Sequence, residues 1–258
     1  MNRIYFDLSA TTPIDSQVAE FMHNLQKETY GNPSSVHREG QAARAVIEKT
    51  RRELALALSC NPEEIIFTSS GSESNNMVLK GTLSSGDHFI TSSYEHPAIL
   101  KVLKYLEENG IESSLVQPDQ NGIVQPASVE HQIRENTRLI SIMYVNNELG
   151  TINPISEIAQ ISHEKGILFH SDAVQALGKI SLNVGDISAD FLSMSAHKLY
   201  GPKGVGALFI RKGTALKPLI VGGGQEANLR ASTENITGIC GFGMAVEIAT
   251  MHLKEHFE

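Results

Sequence analysis

The chain has 258 residues, 41% hydrophobic and 19% charged, with a formal net charge of −8. That length buries one large core or two small ones, and the acid excess with scattered basic residues excludes a nucleic-acid binder built on a basic patch. Two cysteines, Cys60 and Cys240, exclude a disulfide framework and a cysteine zinc motif and point to a reduced, cytoplasmic protein.

The N-terminus, MNRIYFDLSATTP, lacks the layout of a signal peptide, and no window approaches the ~18 uninterrupted apolar residues of a membrane span. The first helical pattern runs over 40–57. A strand comes next at 64–68, and the small residues after it lead into a second helix. A strand at 88–92 precedes a helix at 97–109, and an apolar run at 138–145 reads as a strand. The helix predicted at 154–165 has Gly166 as its C-cap. Strands are predicted at 167–170, 191–194 and 205–210, and a long helix at 234–256 with no cap signal after it. Most of these strands are unbroken apolar runs, which suits strands covered on both faces. The expected fold is α/β with a mainly parallel sheet, its sites at the carboxyl ends of the strands.

Polar clusters fall at those ends. After 64–68, Ser69 to Asn76 could cradle a phosphate, because N–H groups at a helix start are unpaired and carry partial positive charge; the same residues also suit a plain helix cap. Asp172 ends another strand. It either caps the next helix or faces a pyridine nitrogen, where its charge would keep that nitrogen protonated and the ring an electron sink. Lys198 comes after a buried strand and precedes a Gly/Pro turn. A desolvated lysine there can attack an aldehyde, and Ser195 and His197 beside it could hold an anion. His96, before Pro97, could stack on a flat ring or be an ordinary loop histidine. Asn147 and Gln175 are neutral hydrogen-bonding groups at other strand ends, and both suit caps or turns equally well.

Three lookalikes are set aside. Ser195-Ala196-His197-Lys198 fits S-x-x-K, but its companion S-D-N and K-T-G elements are absent. His252 and His256 have metal-ligand spacing without a third ligand. Gly222-Gly223-Gly224-Gln225 lacks the Gly-Lys-Ser/Thr of a phosphate loop.

Eight segments occur in order: YFDLSATTP at 5–13, GNPSSVH at 31–37, FTSSGSESNN at 67–76, YEH at 94–96, VNNELG at 145–150, HSDAVQ at 170–175, SAHKLYGPKG at 195–204 and RASTEN at 230–235. On these the chain resembles the cysteine desulfurases of the class V pyridoxal-phosphate enzymes, which supply sulfur for iron–sulfur clusters and tRNA thiolation. The resemblance runs from residue 4 to the end. It implies the aspartate-aminotransferase-type fold (fold type I) with pyridoxal 5'-phosphate as cofactor. Residues 1–258 would be the cofactor-binding large domain, 1–15 an arm against a small domain, and that C-terminal small domain mostly absent.

The resemblance further implies a role for each residue. Lys198 bonds the cofactor covalently and later carries a proton. His96 stacks on the ring and assists proton transfer. Asp172 pairs with the ring nitrogen, Gln175 with the phenolic oxygen, and Asn147 orients cofactor and substrate. Gly71, Ser72, Ser195 and His197 hold the phosphate, and Thr233 reaches the phosphate of the partner subunit in a homodimer. The substrate implied is L-cysteine, and the recipient of sulfur is an acceptor protein such as an iron–sulfur scaffold or tRNA-thiolation enzyme, with no nucleic acid or membrane partner. The family's persulfide-forming cysteine and carboxylate-binding arginine are expected in the absent part, and Cys60 and Cys240 are expected to be structural. Two other readings accompany this one: a non-catalytic, dimerising cofactor-binding protein, and another class V β-lyase or aminotransferase that needs no cysteine nucleophile.

Overall fold

The computed structural model describes the backbone of residues 4–257 and the side chains of residues 4–253. Its strands are β1 (Ile65–Thr68), β2 (His88–Ser92), β3 (Glu112–Val116), β4 (Thr137–Ser141), β5 (Leu168–Asp172), β6 (Phe191–Ser195) and β7 (Gly206–Ile210). They form one sheet in the order β1-β7-β6-β5-β4-β2-β3. β7 is antiparallel to both neighbours and the other pairings are parallel. The carboxyl ends of β1, β2, β4, β5 and β6 therefore share one edge.

The helices are α1 (Ser16–Glu28), α2 (Arg38–Leu58), α3 (Gly71–Thr82), α4 (Pro97–Glu108), α5 (Pro126–Glu130), α6 (Ile155–Glu164), α7 (Val184–Ile187) and α8 (Ile236–Phe257). Side-chain alternation along the strands feeds two cores. Ile65, Phe67, Ile90, Phe169, Leu192 and Phe209 pack under α2, α6 and α8. Ile66, Phe89, Phe191 and Leu208 point the other way, against Met77 and Leu79 of α3 and Ile99 and Leu103 of α4. Both faces are covered, which is why the strands read as continuous apolar runs.

Several predicted bounds shift. The strand expected at 138–145 is regular only over β4; beyond it Ile142 N and Tyr144 N still donate to the His170 and Asp172 carbonyls of β5 at 3.2 and 3.0 Å, Ile142 and Met143 stay buried, and Val145 forms a lone bridge to Ile152. The last helix starts at Ile236 because Asn235 Oδ1 accepts the Gly238 N–H at 3.1 Å, an N-cap bond. Ile236–Leu253 has the length and hydropathy of a membrane span, yet half of it is buried within the protein, where α8 packs on α2 and α1. His252 is exposed; the side chain of His256 lies outside the described residues, and no metal-binding cluster occurs among the described ones.

Candidate active site

A cavity of about 240 Å³ lies at the carboxyl edge of the sheet. It is lined by Gly71, Ser72, His96, Asn147, Asp172, Gln175, Ser195, His197 and Lys198, together with Ala10, Ser70, Asn75, Met143 and Val174. The site residues predicted from sequence thus converge there, apart from Thr233, which is exposed in the loop before α8. That loop is nevertheless anchored to the same region: Arg230 Nε donates to Glu73 Oε1 at 2.8 Å in the first turn of α3.

The first turn of α3 forms one wall. Ser70 caps it, its Oγ accepting from Glu73 N at 3.1 Å, which leaves the N–H groups of Gly71 and Ser72 without intrahelical partners. Burial opposes ionisation of Glu73, but hydrogen bonds from Arg230 and Ser69 hold its carboxyl below the usual range. A Cβ at Gly71 would meet Val174 Cγ2 at 2.5 Å, so glycine keeps this wall open. Opposite it, Ser195 Oγ is buried with no hydrogen-bond partner. An unpaired buried hydroxyl facing free N–H groups fits a bound phosphate.

Asp172 sits at the floor, 5% exposed. Asn75 Nδ2 donates to its Oδ2 at 2.7 Å and Val174 N to its Oδ1 at 3.0 Å. Burial pushes its pKa up, against those hydrogen bonds and the more distant charges of His96 and Lys198. A carboxylate in this position is stabilised by a cation placed against it, as a protonated ring nitrogen would be. Beneath it, His170 is locked between Ser141 Oγ at 2.8 Å and Ser193 Oγ at 3.0 Å, and burial pushes its pKa down to about 3. The floor therefore carries no histidine charge at neutral pH.

His96 caps α4: its Nδ1 accepts the Ala98 N–H at 3.1 Å. A backbone N–H only donates, so the neutral ring carries its proton on Nε2. Next to it, Glu95 is 4% exposed. Its Oε1 accepts from Ser92 Oγ at 2.6 Å and from Met143 N at 2.9 Å, which ties the end of β2 to the segment after β4. Burial pushes its pKa up to about 8.

The N-terminal segment crosses the mouth. Lys198 Nζ donates to the carbonyls of Ser9 at 2.5 Å and Ala10 at 2.7 Å. Thr12 N donates to the His197 carbonyl at 3.0 Å, and His197 Nδ1 lies 3.0 Å from Thr11 Oγ1. Burial lowers the Lys198 pKa, opposed by Asp172 and Asp7. A lowered pKa raises the fraction of nucleophilic amine. Sequence reasoning did not single out Asn75, Glu95 or the carbonyls of Ser9 and Ala10. Asn75 had a readable signal, since it stands one helical turn after Gly71 and shares its face.

A seven-stranded sheet of this order sets a helix-start cradle, a buried carboxylate and a lysine at one edge, and the chain has the fold type I architecture of the pyridoxal-phosphate aminotransferases. Residues 4–256 match the family Aminotransferase class-V, and the chain belongs to that family. Its members depend on pyridoxal phosphate. The chain is 49% identical to the cysteine desulfurase IscS of Dictyoglomus turgidum over 99% of its own length and 66% of that protein's. To the IscS of Methanosarcina thermophila it is 46% identical, over 98% of the chain and 63% of the relative. Among solved structures, a NifS-like protein superposes with a TM-score of 0.95 at 43% identity, covering 98% of this chain and 71% of the other. A structure of SspA in complex with cysteine gives a TM-score of 0.91 at 42% identity, over 95% and 72%. The chain thus spans about two thirds of the length of the curated relatives it matches.

Proposed function

We propose that this protein is the large domain of a cysteine desulfurase-type pyridoxal-phosphate enzyme. The observation that carries the reading is the placement of Lys198, Asp172 and the unpaired Ser195 Oγ around one cavity. Bound there, pyridoxal phosphate supplies an electron-withdrawing ring that makes the Cα proton of an amino acid removable. Asp172 holds the positive charge of the ring nitrogen. Gly71 N–H, Ser72, Ser195 and His197 hold the phosphate, Gln175 meets the phenolic oxygen, and Asn147 orients cofactor and substrate. His96, which lines the cavity, would stack on the ring and assist proton transfer. Lys198, its pKa lowered by burial, would be the amine that holds the cofactor and the group that takes and returns the Cα proton of the substrate.

The proposed substrate is L-cysteine, with L-alanine as product. A thiolate takes the sulfur: L-cysteine plus a thiol gives L-alanine plus a persulfide, so atoms and electrons balance. Cys60 and Cys240 do not suit that step. Burial raises both thiols, Cys60 to about 12, and the thiolate is the nucleophile. The proposed recipient of the sulfur is a separate acceptor protein, such as an iron–sulfur scaffold or tRNA-thiolation enzyme, and residues 1–15 are proposed to contact a small domain. We further propose a homodimer in which Thr233 reaches the partner's phosphate, and a cytoplasmic location. Supplying the loaded protein with L-cysteine and a small thiol tests the reading. Alanine and persulfide support it, pyruvate or a keto acid indicates a β-lyase or aminotransferase, and a bound cofactor that cysteine leaves unaltered indicates a non-catalytic binder.

A further inference from the structure

A second lysine is joined to the site by a continuous line of hydrogen bonds. Lys179 Nζ donates to Gln175 Oε1. Gln175 Nε2 donates to the Ser9 carbonyl at 3.0 Å, and the same carbonyl receives Lys198 Nζ at 2.5 Å. An ammonium has donors only, whereas an amide has one accepting end and one donating end. Lys179 therefore admits one of the two amide orientations of Gln175, oxygen toward the ammonium and NH2 away from it. The Ser9 carbonyl, which accepts from Gln175 Nε2, supports that orientation. When Gln175 turns from Ser9 to a cofactor oxygen, Lys179 is the contact that still selects it.

Lys179 also acts by charge. Both lysines line the cleft between the N-terminal segment and residues 145–150. Burial lowers the pKa of Lys179 and the cation of Lys198 lowers it further. The charges facing Lys198 are Asp172 from β5 and Asp7 from the N-terminal segment, which oppose the lowering by burial. His197 is lowered by burial and then by Lys198, Lys203, His96 and Lys179.

We propose that Lys179 is a positioning residue that fixes the Gln175 amide with its NH2 toward the cofactor's phenolic oxygen and sets a second cation beside Lys198. The proposal rests on the pyridoxal-phosphate reading. A donor on the phenolic oxygen favours the phenolate and weakens its hold on the proton of the neighbouring lysine–cofactor nitrogen. The Lys179 charge disfavours that same proton. Both effects keep the linkage unprotonated to lower pH.

The pH midpoint of the visible band of the lysine-bound cofactor reads this without turnover. Lys179 belongs to neither hydrophobic core, so its substitution leaves the core packing in place. Lys179→Met raises the midpoint by about one pH unit, and Lys179→Arg, which keeps the charge and the donors, returns it to the wild-type value. In the cofactor-free protein, the pH midpoint for acylation of Lys198, followed by peptide mass, rises in Lys179→Met as well. A purely structural role would change thermal stability and neither midpoint. A wild-type band whose midpoint Lys179→Met does not move overturns the proposal alone, as does a Lys179→Arg variant that behaves like Lys179→Met. Absence of a Lys198-dependent band in the wild type overturns the cofactor reading and the proposal together.

Discussion

Glu226 is the residue on which the loop leading to Thr233 is hung. It is 4% exposed and faces Arg51, 7% exposed, with Arg51 Nη1 at 2.8 Å from Oε2 and Nη2 at 2.7 Å from Oε1. Phe67 N of β1 donates to the same Oε2 at 2.8 Å. This pairing holds three consecutive non-glycine residues in the left-handed region, Glu226, Ala227 and Asn228 at φ 45°, 56° and 65°. Glu226→Gln keeps the shape and removes the charge, leaving the buried Arg51 with the Ile65 carbonyl at 2.6 Å and Glu48, whose Oε2 is 3.2 Å away, as its remaining carboxylate. Breaking a buried pair costs about 3–5 kcal/mol, and the surviving Glu48 contact places this case near 3 kcal/mol. For a chain of this size that lowers Tm by about 6–12 °C. Urea denaturation and a thermal melt measure it, with Glu112→Gln as control. Its partner Arg134 is 48% exposed and Glu112 itself 57% exposed, so that pair is worth at most about 1 kcal/mol. A Glu226→Gln loss no larger than the control's would refute the claim that the pair pins the loop.

Stability should fall below neutral pH because of His170. Its folded pKa, about 3, is below the ~6.5 of an unfolded histidine, so the unfolded state binds more protons as pH falls between them. The stability is fully present above ~6.5, and at pH 5 about 2 kcal/mol is lost on this account; His88, lowered to about 4, acts in the same direction. Urea titrations at pH 7 and pH 5 show this, and equal stabilities at the two values would contradict it. Gly71→Ala places a Cβ 2.5 Å from Val174 Cγ2 beside the phosphate cradle. It should weaken pyridoxal-phosphate binding by about tenfold or more, roughly 1.4 kcal/mol, while the fold survives; fluorescence titration measures the affinity. Ala227→Gly relieves a left-handed alanine and should raise stability by about 1 kcal/mol in the same urea assay.

The buried strands were legible in the sequence because both of their faces are apolar. The edge strand β3 was not: its Glu112-Ser113-Ser114 start is polar, and its burial alternates with solvent exposure. α1 escaped notice although Asp15 caps it, because Val18 is its one buried residue and its periodicity is faint. The run at 138–145 read as one long strand because burial continues through Met143 and Ile142 N and Tyr144 N still donate to the His170 and Asp172 carbonyls of β5 at 3.2 and 3.0 Å, although the regular strand ends at Ser141; an apolar run does not report where a regular strand stops. Within the site, Asp172 and Lys198 were legible as polar residues ending apolar runs. Glu95 and Lys179 were not, because their significance lies in partners far along the chain: Met143 for one, the Gln175–Ser9–Lys198 line for the other.

The central claim is that Lys198 bonds pyridoxal phosphate in this cavity. Its most direct test is to incubate the purified protein with pyridoxal phosphate, reduce with borohydride and map the modified peptide by mass, beside Lys198→Ala. The account predicts a visible band before reduction, and the phosphopyridoxyl mass on the peptide containing Lys198, both lost in Lys198→Ala. Label spread over surface lysines, or a band that persists in Lys198→Ala, would contradict it.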